Sequence, residues 1–180
     1  KTLWDKTDMS NLRLINETEI TSSVSSVDVT NVFSADFDIY KITATEISTV
    51  GTTNGSIEFR FINESGSVIT ASNYDRADLL LKAETSFTEN RATNDDSITA
   101  FGAIDQSAEG SGTVAYVFNP YSSSSYSFYL SQYQGHIATV TRGDKAIGVL
   151  KQTASMTGFH LLFTQTVNSG FIRCYGLRVD

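Results

Sequence analysis

Apolar and polar residues alternate one by one through segment after segment of this chain, and a two-residue period is the signature of strands that bury one face. From Asp38 to Ile47, Tyr40, Ile42 and Ala44 fall on one side and Lys41, Thr43 and Thr45 on the other. Ser56–Phe61 resumes the pattern with Ile57, Phe59 and Phe61, and the turn residues Gly51, Asn54 and Gly55 between the two segments predict a hairpin. Asn63–Gly66 reads as a further turn and Val68–Ala71 as a short strand. Ser97–Ile104, Gly112–Asn119, Tyr126–Ser131, Thr139–Thr141, Ala146–Gln152, Phe159–Thr164 and Phe171–Val179 continue the series, bounded by Gly, Asn or Ser. One segment is ambiguous. Tyr74–Lys82, with Ser72 or Asn73 as a cap and Asp75 and Asp78 in the first turns, fits a short helix, but the Leu79–Leu81 run is too brief to exclude an extended strand.

Composition agrees with the periodicity. Ser and Thr make up about a quarter of the chain and Pro120 is its only proline, a bias that suits pleated strands with hydroxylated outer faces. About ten short strands without βαβ alternation predict an all-β fold: an antiparallel two-sheet β-sandwich, jelly-roll-like, with at most one short helix. A length of 180 residues suits one sandwich domain over residues 12–180, preceded by an N-terminal arm over residues 1–11.

Charge and cysteine usage narrow the partners. A formal net charge of −7 repels phosphate backbones and anionic bilayers, so neither nucleic acid nor a membrane is an expected partner. No stretch approaches the roughly eighteen consecutive apolar residues of a membrane span, and the first residues contain no apolar core of a secretory signal. Cys174, the single cysteine, shares a strand face with Ile172 and reads as a small buried hydrophobe.

Markers of catalysis are sparse. His160 lies in Phe159–Phe163, where the alternation points it away from the core, and neither it nor His136 has a metal-ligand partner at a suitable spacing. The closest acidic pairs, Asp36 with Asp38 and Asp95 with Asp96, sit at strand entrances or turns, where Asp side chains bind local backbone N–H groups. No nucleophile elbow, zinc-binding helix, phosphate loop or calcium loop is present, so no enzyme activity, cofactor or metal is expected.

Two regions carry an interaction signal. The arm holds Trp4 and Met9, which either pack back on the domain or anchor on a neighbouring subunit. Tyr121, Tyr126, Tyr129 and Tyr133 crowd into one stretch in which Phe128 and Leu130 mark the apolar side. Tyr129, Ser131 and Tyr133 are then expected to face outward, as sheet packing, a subunit interface or a glycan platform.

The end of the chain, Gly158–Thr164 followed by Asn168-Ser169-Gly170 and Phe171–Leu177, resembles the closing strand pair of small β-sandwich virion proteins of tailed bacteriophages. In those proteins an Asn-Ser-Gly type turn leads to a last strand ending in Tyr-Gly-Leu or Tyr-Gly-Ile. Asp38–Ile42, Ser72–Asp75 and Ser125–Phe128 add to the likeness in the same order, across roughly Ile20 to Leu177. The resemblance implies a non-enzymatic structural component of a phage particle, on the exterior of the capsid or in the tail or its fibres. Its partners would be other virion proteins and copies of itself, a trimer being one option. A module that contacts host surface carbohydrate through the exposed tyrosines is the alternative.

Overall fold

The structure is a computed structural model and describes residues 11–49, 51, 54–84, 86–106, 111–137 and 140–178. Trp4 and Met9 of the predicted arm lie outside the described residues. Eleven strands follow one another: β1 (Leu12–Ile20), β2 (Val24–Val29), β3 (Ile39–Thr49), β4 (Gly55–Asn63), β5 (Tyr74–Lys82), β6 (Thr88–Asp95), β7 (Ile98–Gln106), β8 (Ser111–Phe118), β9 (Ser127–Ile137), β10 (Val140–Leu150) and β11 (Met156–Leu177). All pairings are antiparallel except a short parallel contact between β3 and β7, and no helix occurs among the described residues. The all-β expectation holds.

β11 determines how the strands divide into two layers. Its first half pairs with β2 on one side and β4 on the other, and β4 continues to β7. Its second half pairs with β1 and with β3, from which the larger layer runs β3-β8-β9-β10-β5-β6. Between the halves the pairing to β3 slips at Val167–Ser169 and again at Ser169–Phe171. Gly170 there adopts φ 146°, and a Cβ on it would collide with the Ile47 side chain. A residue with a side chain fits neither the dihedral nor the space.

Three expectations are corrected. The predicted Asn168-Ser169-Gly170 turn is a bend within one continuous strand, because the chain there changes layers instead of reversing. The predicted β3–β4 hairpin does not form: β3 pairs with β8 and β11, and β4 with β11 and β7, so the connection crosses between layers. Val68–Ala71 makes only an isolated bridge, from Val68 to Ile62. The ambiguous segment is resolved as strand β5, held over its whole length by β10 and along its other edge by β6. Pairing on both sides outweighs the weak helical preference of a nine-residue segment.

The core lies between the layers. Ile57, Phe59 and Phe61 of β4 and Phe159, Leu161 and Phe163 of β11 face Tyr40 and Ile42 of β3, Val117 of β8 and Tyr129 of β9, all at most 4% exposed. Phe59 stacks on Phe101 and Phe159 at 5.9 and 5.7 Å and meets Phe61 edge-on at 5.0 Å. Two buried tyrosines close their hydroxyls on backbone. Tyr40 Oη accepts from Ser34 N (2.7 Å) and donates to Ser34 O (2.9 Å). Tyr74 Oη accepts from Phe61 N (3.0 Å) and donates to Ile69 O (3.2 Å), tying β5 to the smaller layer.

Removing the Tyr74 hydroxyl strands a buried N–H. Tyr74→Phe is expected to lower unfolding stability by about 1–3 kcal/mol, read as a lower urea midpoint at unchanged slope.

Candidate functional site

The strands β5, β9 and β10 carry different chemistry on their two faces. On β9 the inward residues are Ser127, Tyr129 and Ser131, at most 3% exposed, while Phe128 and Leu130 stand 47% and 43% exposed. This reverses the expected orientation: Tyr129 and Ser131 are not part of an outward stripe. The reason is the close crossing of β7, whose backbone accepts from Ser131 Oγ at Ala100 O (3.0 Å) and leaves room only for small residues and one ring. Tyr129 fills that space, 5.1 Å from Phe59 and 6.5 Å from Phe101. Tyr121 is half-buried and Tyr126 exposed in the connection from β8 to β9, and Tyr133 points inward on β9, so the four tyrosines do not share a surface.

The outer face is apolar and open. Register aligns Tyr116, Leu130, Ile147 and Ala77 in one row across β8, β9, β10 and β5, and Phe118, Phe128, Val149 and Asp75 in the next. Ile147 is 60% exposed. A third row, Val114, Gln132, Lys145 and Leu79, ends on Glu89 of β6, and Arg91 stands beside Ala77. A shallow groove of about 850 Å³ runs over Phe128, Leu130 and Ile147.

The inner face of the same strands, past the aromatic core, is polar. Arg76 and Asp78 of β5, Tyr133 of β9 and Arg142 and Asp144 of β10 line a cleft of about 600 Å³, with Ala100 and Ala103 of β7 and Asn54, just before β4, opposite them. Asp78 pairs in register with Ala146 and Asp144 with Leu80, which brings the two carboxyls to neighbouring places on one face from positions 66 residues apart in the chain, and Tyr133 lies across from Asp144 on the other side. Asp78 is well supplied with donors: Arg76 Nη1 at 2.9 Å and Asn90 Nδ2 at 2.7 Å. Arg76 also reaches Asp95 Oδ2 at 3.4 Å.

Asp144 is less well served. Burial first, and the neighbouring Asp78 charge second, push its carboxyl up to about 6, against a backbone hydrogen bond from Lys145. Burial and the same two carboxylates push the Tyr133 phenol up to about 12, with Arg142 opposing. Three buried side-chain atoms along this cleft, Asn54 Oδ1, Arg142 Nε and Asp144 Oδ1, have no hydrogen-bond partner.

The residues singled out from sequence sit elsewhere. Asp95 Oδ1 accepts from Asp96 N at 2.9 Å and Asp36 joins Ser34 in a local turn, as expected for Asp at strand entrances. His160 faces away from the core, with Nδ1 2.5 Å from Asp28 Oδ1, and His136 Nδ1 lies 3.3 Å from Thr141 Oγ1. Cys174 is fully buried and its thiol is pushed up to about 12 by burial. The Asp78–Asp144 pair has no signature along the chain. Its one legible trace is the alternation Tyr74, Arg76, Asp78, Leu80, which marks a polar inward face once β5 is known to be a strand.

No family model matches the chain, and no curated protein matches it significantly. Solved structures resemble it weakly. A fructofuranosidase variant from Schwanniomyces occidentalis complexed with fructosylnystose aligns at TM-score 0.31 and 11% identity, over 92% of this chain and 34% of that one. This chain thus spans about a third of that enzyme. The CBM2 module of the evolved Dit of Lactobacillus casei BL23 phage J-1 aligns at TM-score 0.27 and 8% identity, over 86% of this chain and 69% of that one. A family 7 alginate lyase in complex with substrate aligns at TM-score 0.26 and 8% identity, over 86% and 66%. Likenesses of this size decide nothing about function.

Folding raises the pKa of Asp144 above its unfolded value near 3.9. The stability this group contributes is therefore fully present below that value and is lost as pH rises through about 6. Asp144→Asn is expected to exceed wild type by about 1–2 kcal/mol at pH 7.5 and to converge with it at pH 4, in urea titrations at both pH values.

Proposed function

We propose that this chain is a non-enzymatic structural subunit of a tailed-phage particle, on the capsid exterior or in the tail or its fibres, and that it works by protein–protein contact. The observation that carries the reading is the open apolar face of the larger layer, where Phe128, Leu130 and Ile147 stand 43–60% exposed side by side. Monomeric proteins seldom leave large side chains contiguous on a flat sheet, and such faces mark interaction surfaces. The ordered resemblance from Ile20 to Leu177 supports the phage assignment.

The occupant this face fits best is a second copy of the chain. Five strands at about 4.8 Å and three rows of side chains, the charged margin on β6 and β10 included, give a flat area of about 500 Å², so the flanking connections must join the contact to reach the roughly 800 Å² per partner of a stable interface. That margin carries Glu89 beside Arg91 and Lys145. A two-fold contact would bring acid onto base from both sides.

Sedimentation equilibrium is expected to find wild type self-associated at micromolar concentration, and Leu130→Asp or Ile147→Lys monomeric with an unchanged far-ultraviolet spectrum. A wild type that stays monomeric at every concentration would refute the assigned occupant.

A further inference from the structure

The cleft between the layers is independent of the apolar face and takes a different kind of partner. We propose that it binds a neutral sugar, with Asp144 and Asn54 accepting from its hydroxyl groups, Arg142 donating to one of its oxygens, and the Tyr133 ring lying along its carbon skeleton. The case rests on unmet hydrogen-bonding capacity. Asp144 is 5% exposed and its Oδ1 atom has no partner, and the same holds for the Oδ1 atom of Asn54 and for Nε of Arg142. Buried polar atoms are almost always paired, so three unpaired ones along one cavity mark a place prepared for a polar guest.

The chemistry of the guest follows from the balance of donors and acceptors. Two of the free atoms accept and one donates, so the guest must bring at least two O–H or N–H groups and one acceptor. A phosphate dianion or a simple carboxylate brings only acceptors. It would also meet Asp78 and Asp144, whose charges offset those of Arg76 and Arg142. A sugar hydroxyl both donates and accepts, and adjacent hydroxyls suit a carboxyl beside a guanidinium. The volume of about 600 Å³ lies within the range of small-molecule sites, and Leu80, Ala100 and Ala103 supply apolar wall beside the Tyr133 ring. Asp78 is occupied by Arg76 and Asn90, so it fixes the Arg76 side of the wall and leaves the contact to Asp144.

The test uses the full chain and ligand-observed NMR with a panel of neutral mono- and disaccharides built from glucose, galactose, mannose, rhamnose and N-acetylhexosamines. Inorganic phosphate and glucuronate serve as anionic probes. At least one neutral sugar is expected to bind with a millimolar or tighter Kd, and Asp144→Ala and Arg142→Ala to weaken it about tenfold or more. Asn54→Ala, just before β4, provides a variant with little demand on folding and is expected to weaken the same sugar. Ile147→Lys is expected to leave it unchanged, which separates this site from the assembly face. The proposal is overturned if no sugar in the panel binds at 10 mM, if phosphate or glucuronate binds as well as the best sugar, or if binding survives both Asp144→Ala and Asn54→Ala in folded protein.

Discussion

β11 hydrogen-bonds at length in both layers, which among the described residues otherwise pair only through the short β3–β7 contact, and the arrangement of the other strands depends on its continuity. β11 enters between β2 and β4 and leaves between β1 and β3, so the two layers are joined by backbone as well as by packed side chains. Its change of layer needs a local break in register and a glycine at φ 146°, and both occur within Val167–Phe171. Phe159, Leu161 and Phe163 before the bend and Ile172 and Cys174 after it then point into the same core. A reversal at Gly170 would have left β3 without its long partner.

The sequence made the central strands legible, but neither β1, β2 and β6, which carry no strict alternation of apolar and polar residues, nor which strands are neighbours. Periodicity finds β3, β4, β7, β8 and β9 because each has a buried and an exposed side. It cannot report which strand lies alongside, since hydrogen-bonded neighbours such as β4 and β11 are far apart in the chain, and a Gly- and Asn-containing connection suits a crossing as well as a hairpin. The inversion at β9 has a related cause. Both of its faces carry aromatic residues, and parity alone favours the one with Phe128 and Leu130. What decides is the space under β7, which admits Ser127, Tyr129 and Ser131 and excludes a continuous row of large aliphatics.

The cleft was invisible for a physical reason. Asp78 and Asp144 become neighbours only when β5 and β10 pair in one register, and a segment that reads equally well as a helix offers no register to test. Of the nearby acidic pairs that the sequence does present, Asp36 with Asp38 and Asp95 with Asp96, Asp36 and Asp95 make local hydrogen bonds and Asp96 pairs with Arg60 at 3.1 Å. Asp95 enters the site only indirectly, by holding Nε of the Arg76 guanidinium whose Nη1 pairs with Asp78.

Strands β5, β9 and β10 therefore carry two surfaces related by a single-residue step. Odd and even positions of β10 alternate between the open apolar face, with Lys145, Ile147 and Val149, and the inward face, with Arg142, Asp144 and Ala146. Neither surface is optimised for stability, because one leaves apolar area in water and the other buries a carboxyl beside a second one. The compensating burial lies in the smaller layer, where Phe59, Phe61 and Phe159 are fully enclosed and Tyr74 ties β5 to β4. A slip of one residue between β5 and β10 would place Asp144 on the solvent face and Ile147 in the cleft, exchanging both surfaces at once. The aromatic core and the Tyr74 hydrogen bonds hold that register, and they do so from outside both surfaces.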